Sequence, residues 1–262
     1  MDSSFPTYSL KKNPNVNFVI SIGHQIYTPH DTLAESLITD DRPYAGWLYM
    51  GFAFSYKHER LGHFLEFYLG MVGPSALGKQ VQNNFHDTLS EDRVYDWKNG
   101  LHDEPTLQIT YQERFKSYKS QTMDFFPYYG GSLGNVQIAA HVGGIFRYGT
   151  YLPADFGPSR PSANEGDSFL SLNVDQNPEH YSYYVFAGAR GNAIARNIFL
   201  DGNSLRTSHH VTKIPLTFET DFGAGLLMAP IGLVWRFVTR SPEFEERKIF
   251  NSFASLNLLY IF

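Results

Sequence analysis

The feature that most limits what this chain can fold into is a period-two alternation of apolar and polar side chains, recurring over segments of about ten residues from Asn17 onward. Phe18, Ile20, Ile22 and Ile26 oppose Asn17, Ser21, Gly23 and Gln25, and Leu48, Met50, Phe52, Phe54 and Tyr56 oppose Gly51, Ala53, Ser55 and Lys57. Leu107, Ile109, Tyr111 and Phe115 stand against Thr106, Gln108, Thr110, Gln112 and Arg114 in the same way. Neighbouring side chains of a strand point to opposite faces, so each segment reads as a strand with one oily and one polar side. Alternation by itself suits a soluble sandwich, polar side in water, as well as a membrane barrel, polar side in the lumen.

Length and composition separate the two. Charged residues make up 18% of the chain and aromatics 16%, against about 25% charged in ordinary soluble domains. No run approaches the roughly 18 apolar residues of a membrane helix, and the mean hydropathy is −0.29. The strands are near the length of a tilted membrane crossing, whereas soluble strands average about five or six residues. Tyr49, Tyr56, Tyr68, Tyr111, Phe115, Tyr128, Tyr129, Tyr148, Tyr151, Tyr183 and Tyr184 often lie near strand ends, as interfacial girdles do. The final strand, Ser255–Phe262, ends on a Phe, which resembles the assembly signal of bacterial outer-membrane barrels. The expected fold is therefore all-β, an antiparallel transmembrane β-barrel, residues 1–262 forming a single outer-membrane domain. A net charge of −5 offers no basic field for nucleic acid, and the absence of cysteine excludes thiolate metal sites.

About eleven strands are expected, near 17–27, 46–57, 64–73, 106–116, 122–130, 134–149, 181–191, 193–200, 211–226, 229–240 and 248–262. The long connections 28–45, 74–105 and 150–180 are expected on the extracellular side, with short turns opposite.

Chemistry is sought where the period changes. After Gly73-Pro74, Gly78, Gln82 and His86 recur at helical spacing beside the apolar stripe Leu77, Val81, Phe85 and Leu89. A short helix near 75–90, with Ser75 as N-cap, would hold Gln82 and His86 together on a hydrophobic support. The plainer reading is a capping helix whose His86 is merely an exposed titratable residue. There is no Gly-x-Ser-x-Gly elbow, and His24, His141, His209 and His210 show no metal-ligand spacing and receive no site.

One ordered set of motifs decides for chemistry. Gln25-Ile26-Tyr27-Thr28-Pro29, Asp41-Arg42-Pro43-Tyr44-Ala45-Gly46, Gly73-Pro74 with Gln82, Asn83 and His86, then Trp97 and Asp103-Glu104-Pro105 together resemble the LpxR family of outer-membrane lipid A 3'-O-deacylases. The resemblance implies a twelve-stranded barrel with its site between the wall and a short loop helix. It implies hydrolysis of the 3'-linked acyloxyacyl ester of lipid A in lipopolysaccharide, with His86 as general base and calcium polarising the ester. Gln82, Asn83, Asp41, Arg42 and Tyr44 are then expected to bind substrate or support the site, Tyr44 alternatively being a girdle residue. Glu91 and Asp92 are the metal-ligand candidates, the partner is the outer membrane itself, and the barrel is expected to act as a monomer. The family's metal-binding Asn-Asp pair and Tyr-Thr-x-Gly segment have no counterpart before Phe18. Residues 1–10 resemble the tail of the family's second strand and no signal segment precedes them, so the first strand is expected to be missing. Rival readings are a non-enzymatic barrel (channel or adhesin), an inactive truncated deacylase homologue, and a soluble β-sandwich.

Overall fold

The computed structural model describes residues 2–4, 8–13, 16–32, 36–89, 97–158, 181–228 and 231–260. Thirteen strand segments form one antiparallel sheet: β1 (Asp2–Ser4), β2 (Tyr8–Asn13), β3 (Val16–Tyr27), β4 (Ala45–His58), β5 (Leu61–Val72), β6 (Glu104–Phe115), β7 (Tyr118–Lys119), β8 (Met123–Gly134), β9 (Gln137–Thr150), β10 (Ser182–Asn197), β11 (Leu216–Met228), β12 (Ile231–Arg240) and β13 (Asn251–Tyr260). β1 and β2 share one edge of β3, pairing Ser3 with His24 and Ser9 with Val19, and β7 extends β6 along β8. The path from one edge to the other therefore has eleven members.

Two assignments from the sequence change. Residues 182–197 are one continuous strand with a bulge between Ile194 and Arg196, where two strands were expected. Residues 2–4 and 8–13, expected as a remnant, supply paired strand along β3.

The sheet curls far enough that Ile26 and Tyr27 of β3 and Asn251 and Phe253 of β13 line the same cavity. Burial is inverted relative to a soluble protein. Ile22, Met50, Leu69, Leu107, Val142 and Trp235 are exposed on the outside, while Arg114, Arg147, Arg236, Gln108, Gln112 and Thr110 are enclosed. Charges buried inside and aliphatics exposed outside are the pattern of a barrel with lipid around it and polar groups within. Among the described residues no helix is long and apolar enough to cross a membrane.

The alternation sorts the tyrosines too. Tyr56, Tyr111, Tyr129, Tyr148 and Tyr183 project outward toward the lower rim, whereas Tyr44, Tyr49, Tyr68, Tyr128 and Tyr184, expected in the girdle, are buried. The belt is partly tied together: Glu113 accepts hydrogen bonds from Tyr111 and Tyr129, and Tyr111 meets His63 at 2.8 Å.

Strand direction also corrects the loops. The connections 28–44, 73–103, 198–215 and 241–250 emerge at one end, here called upper. The segment that begins at 151 leaves the lower end of β9 and its end at 181 leads into the lower end of β10, opposite the ends from which the other long connections emerge. Its first residues turn back into the lumen. Arg147 binds Asp124 at 2.6 Å, Asp155 at 2.9 Å and the Pro153 carbonyl at 3.2 Å. Arg114 donates to the Phe156 carbonyl, and Arg236, held by Asp221, donates to that of Pro158. Phe156 packs on Phe64 and Phe126, and Gly157 takes the positive φ of 87° that the turn requires. Buried arginines need carboxylate or carbonyl partners, and here Asp124, Asp155, Asp221 and the loop carbonyls supply them to part of each guanidinium. The result is a plug in the lower lumen.

Candidate active site

The helix foreseen after Gly73-Pro74 is present as α1 (Gly78–Leu89), preceded by a single 3₁₀ turn at Pro74–Ala76. Gly73 has φ 110°, and a Cβ there would strike the backbone of His102 and Asp103 at 2.6 Å, so no other residue fits. Ser75 does not cap α1 as expected. Its N–H and hydroxyl both donate to Asp103, each at 2.7 Å, fastening the turn to the strand that follows. Leu77, at φ 61°, makes the left-handed step into the helix, a conformation that costs a branched side chain about 1 kcal/mol or more.

The side of the wall on which α1 sits follows from parity. In β4 the odd residues Trp47, Tyr49 and Ala53 are buried in the lumen, so Gly46 faces outward. Gly46 is covered by Gly78, whose Cα lies 3.1 Å from where a Gly46 Cβ would be. In β3 the outward series is Ile20, Ile22, His24 and Ile26, yet His24 is only 4% exposed and its ring hydrogen-bonds to the backbone of Ala76. Helix α1 therefore lies on the lipid side of the barrel, across the upper ends of β3 and β4.

Its two faces are unlike. Gly78 is buried and Gln82, Asn83 and His86 are partly covered, while Leu77, Val81 and Phe85 are 49%, 43% and 42% exposed. The apolar stripe was expected beneath the helix as support; it forms the outer back instead, because close packing on Gly46 admits small residues and leaves the leucine-sized ones to face lipid. Leu89 lies outside the described side chains. The Gln82 Oε1 is buried with no hydrogen-bond partner among the described residues. Trp97 packs against Gly78 and, at 5.3 Å, against the Tyr44 ring.

The expected site residues thus divide. Gln82, Asn83 and His86 share one side of α1. Tyr44 is buried and supports the helix through Trp97, so it is not a girdle residue. Asp41 organises its own loop, accepting from the backbone N–H groups of His30 and Arg42. Arg42 points into the upper lumen, bound to Glu243 at 2.7 Å. Glu104 anchors the return from the helix, accepting from Asn135, Asn203 and the Ser204 N–H. Glu91 and Asp92 lie outside the described residues, and among the described ones no three His, Asp or Glu side chains converge on a metal site. His24 is the residue that sequence reasoning passed over. The signal was there, since it is a polar side chain in the lipid-facing series Phe18, Ile20, Ile22, Ile26.

A wall of lipid-facing strands, a polar lumen and a helix laid along the outer surface with its polar side toward the wall define an outer-membrane type of β-barrel. The chain belongs to the LpxR family: the family model described as outer membrane protein LpxR matches residues 2–262. Among solved structures it is similar to LpxR from Salmonella typhimurium, at 19% identity and a TM-score of 0.83, the match covering 98% of this chain and 87% of that one. A search of curated proteins found no significant match.

Proposed function

We propose that this protein is an ester hydrolase acting on lipid A in the outer membrane, removing the 3'-linked acyloxyacyl chain in the crevice between α1 and the outer wall of β3 and β4. The observation that carries this reading is the orientation of α1. It turns Gln82, Asn83 and His86 toward the wall and presents Leu77, Val81 and Phe85 to the surroundings. Polar groups held against the lipid side of a barrel are costly unless they serve a purpose, and a substrate drawn from the bilayer supplies one. A channel has no use for such a crevice, and the plug formed by Asp155 and Phe156 also speaks against it.

In this reading His86 takes a proton from a water molecule whose oxygen attacks the ester carbonyl. The imidazolium then returns that proton to the departing sugar oxygen, so no net charge accumulates. The buried Gln82 Oε1 accepts the water's other hydrogen and aims it. Membership of the family also brings an expectation of calcium. The described residues do not assemble a ligand set for it. Chelation followed by calcium addition tests the need for the ion, and the Glu91→Gln and Asp92→Asn variants test whether these two residues hold it.

The test is the His86→Ala variant refolded in detergent, with release of the acyloxyacyl group from lipid A followed by mass. Hydrolysis should fall by roughly 10² to 10⁴, while heat-modifiable migration stays unchanged. A variant that deacylates at the parent rate would make α1 a structural helix.

A further inference from the structure

The upper lumen holds a cavity of about 710 Å³ that the crevice outside the wall does not use. Arg42, Arg190, Arg240 and Arg247 line it against two carboxylates, Glu219 and Glu243. The carboxylates are committed: Glu243 binds Arg42 at 2.7 Å, and Glu219 binds Arg240 at 3.1 Å and lies 3.8 Å from Arg190. Arg247 makes no ion pair among the described residues, and its Nε is buried without a hydrogen-bond partner. A guanidinium whose donor is withdrawn from water and left unmatched favours an incoming acceptor, best an anionic one. The rest of the lining is rich in amides and hydroxyls, among them Asn251, Asn257 and Thr217. Such groups match sugar hydroxyls, and the volume lies within the ordinary range for a small-molecule pocket, about 300–1,000 Å³, far more than a lone phosphate fills.

We propose that the upper lumen is a binding site for an acidic sugar, with Arg247 contacting its phosphate or carboxylate. None of its lining residues belongs to α1, so the site is separate from the one proposed there. The acidic sugar is either a free saccharide or the headgroup of a lipid-linked one.

The test is binding to the detergent-refolded protein by titration calorimetry, with glucose 6-phosphate and glucuronate as free probes, lipopolysaccharide in micelles as the lipid-linked one, and glucose as the neutral control. An acidic probe should bind at least about tenfold more tightly than glucose. Arg247→Gln should lower that affinity by roughly ten- to a hundredfold, and Arg247→Lys by less. Binding by the free sugars assigns a soluble ligand, and binding by lipopolysaccharide alone that weakens in Arg247→Gln but persists in His86→Ala assigns the headgroup. Equal affinity for glucose, unchanged affinity in a correctly folded Arg247→Gln protein, or no saturable binding of any acidic probe would overturn the proposal.

Discussion

His24 and Glu243 show how differently single residues carry information. His24 interrupts the lipid-facing series of β3, and that break in parity marks the strand over which α1 lies; it is visible in the sequence once inside and outside have been told apart. Glu243 leaves no such trace, because its partner Arg42 is 201 positions away. Burial alone would raise the Glu243 pKa, yet the Arg42 and Arg240 guanidinium groups outweigh it and hold the carboxyl below its ordinary 4.5. A folded pKa below the unfolded one means that the native state binds fewer protons as the group titrates. The stabilisation is therefore complete above pH 4.5 and disappears as pH falls through the lower folded value. Resistance to heat-induced migration should drop as the medium is acidified below that point, and Glu243→Gln should flatten this part of the profile. Removing the carboxylate altogether, as in Glu243→Ala, leaves Arg42 without its ion-pair partner and should destabilise the barrel by about 3 kcal/mol in a denaturant titration.

At the scale of elements, helix α1 was legible in outline and misread in orientation. The spacing of Gly78, Gln82 and His86 gave the shared polar side, but the apolar stripe was assigned to the interior by the habit of soluble proteins, where an amphipathic helix hides its oily face. Around a membrane barrel the oily solvent is outside, so the same stripe turns outward. The contact between Gly46 and Gly78 then fixes the distance from helix to wall. A Cβ on Gly78 would approach the Trp97 ring at 2.5 Å. Gly78→Val should lift α1 from the wall and lower lipid A hydrolysis by about 10²-fold even though His86 is intact. A distance measured between spin labels on α1 and β4 should lengthen in the same variant, without loss of heat-modifiable folding. A parent-like rate and distance would show that this contact does not position the helix.

For the whole molecule, the strands were readable because alternation is local, and the eleven-membered path agrees in number with that reading while differing in membership. What sequence could not supply was long-range pairing. Arg114, Arg147 and Arg236 each appear as one polar residue on a polar face, and nothing nearby announces that residues 153–158 will fold back to meet all three. Asp155→Ala removes one of the two carboxylates that hold Arg147 and should cost about 3 kcal/mol in a denaturant titration of the refolded barrel. In planar bilayers the parent should show no steady conductance, and deletion of residues 152–158 should produce one if the barrel still closes.

A barrel stoppered at one mouth is a cup rather than a pipe. The loop residues 153–158 stand between the upper lumen and the lower mouth, so whatever the arginines of the upper lumen sample reaches them from the end at which α1 lies. The stopper thereby gives the molecule a sidedness that its symmetrical wall of strands does not possess.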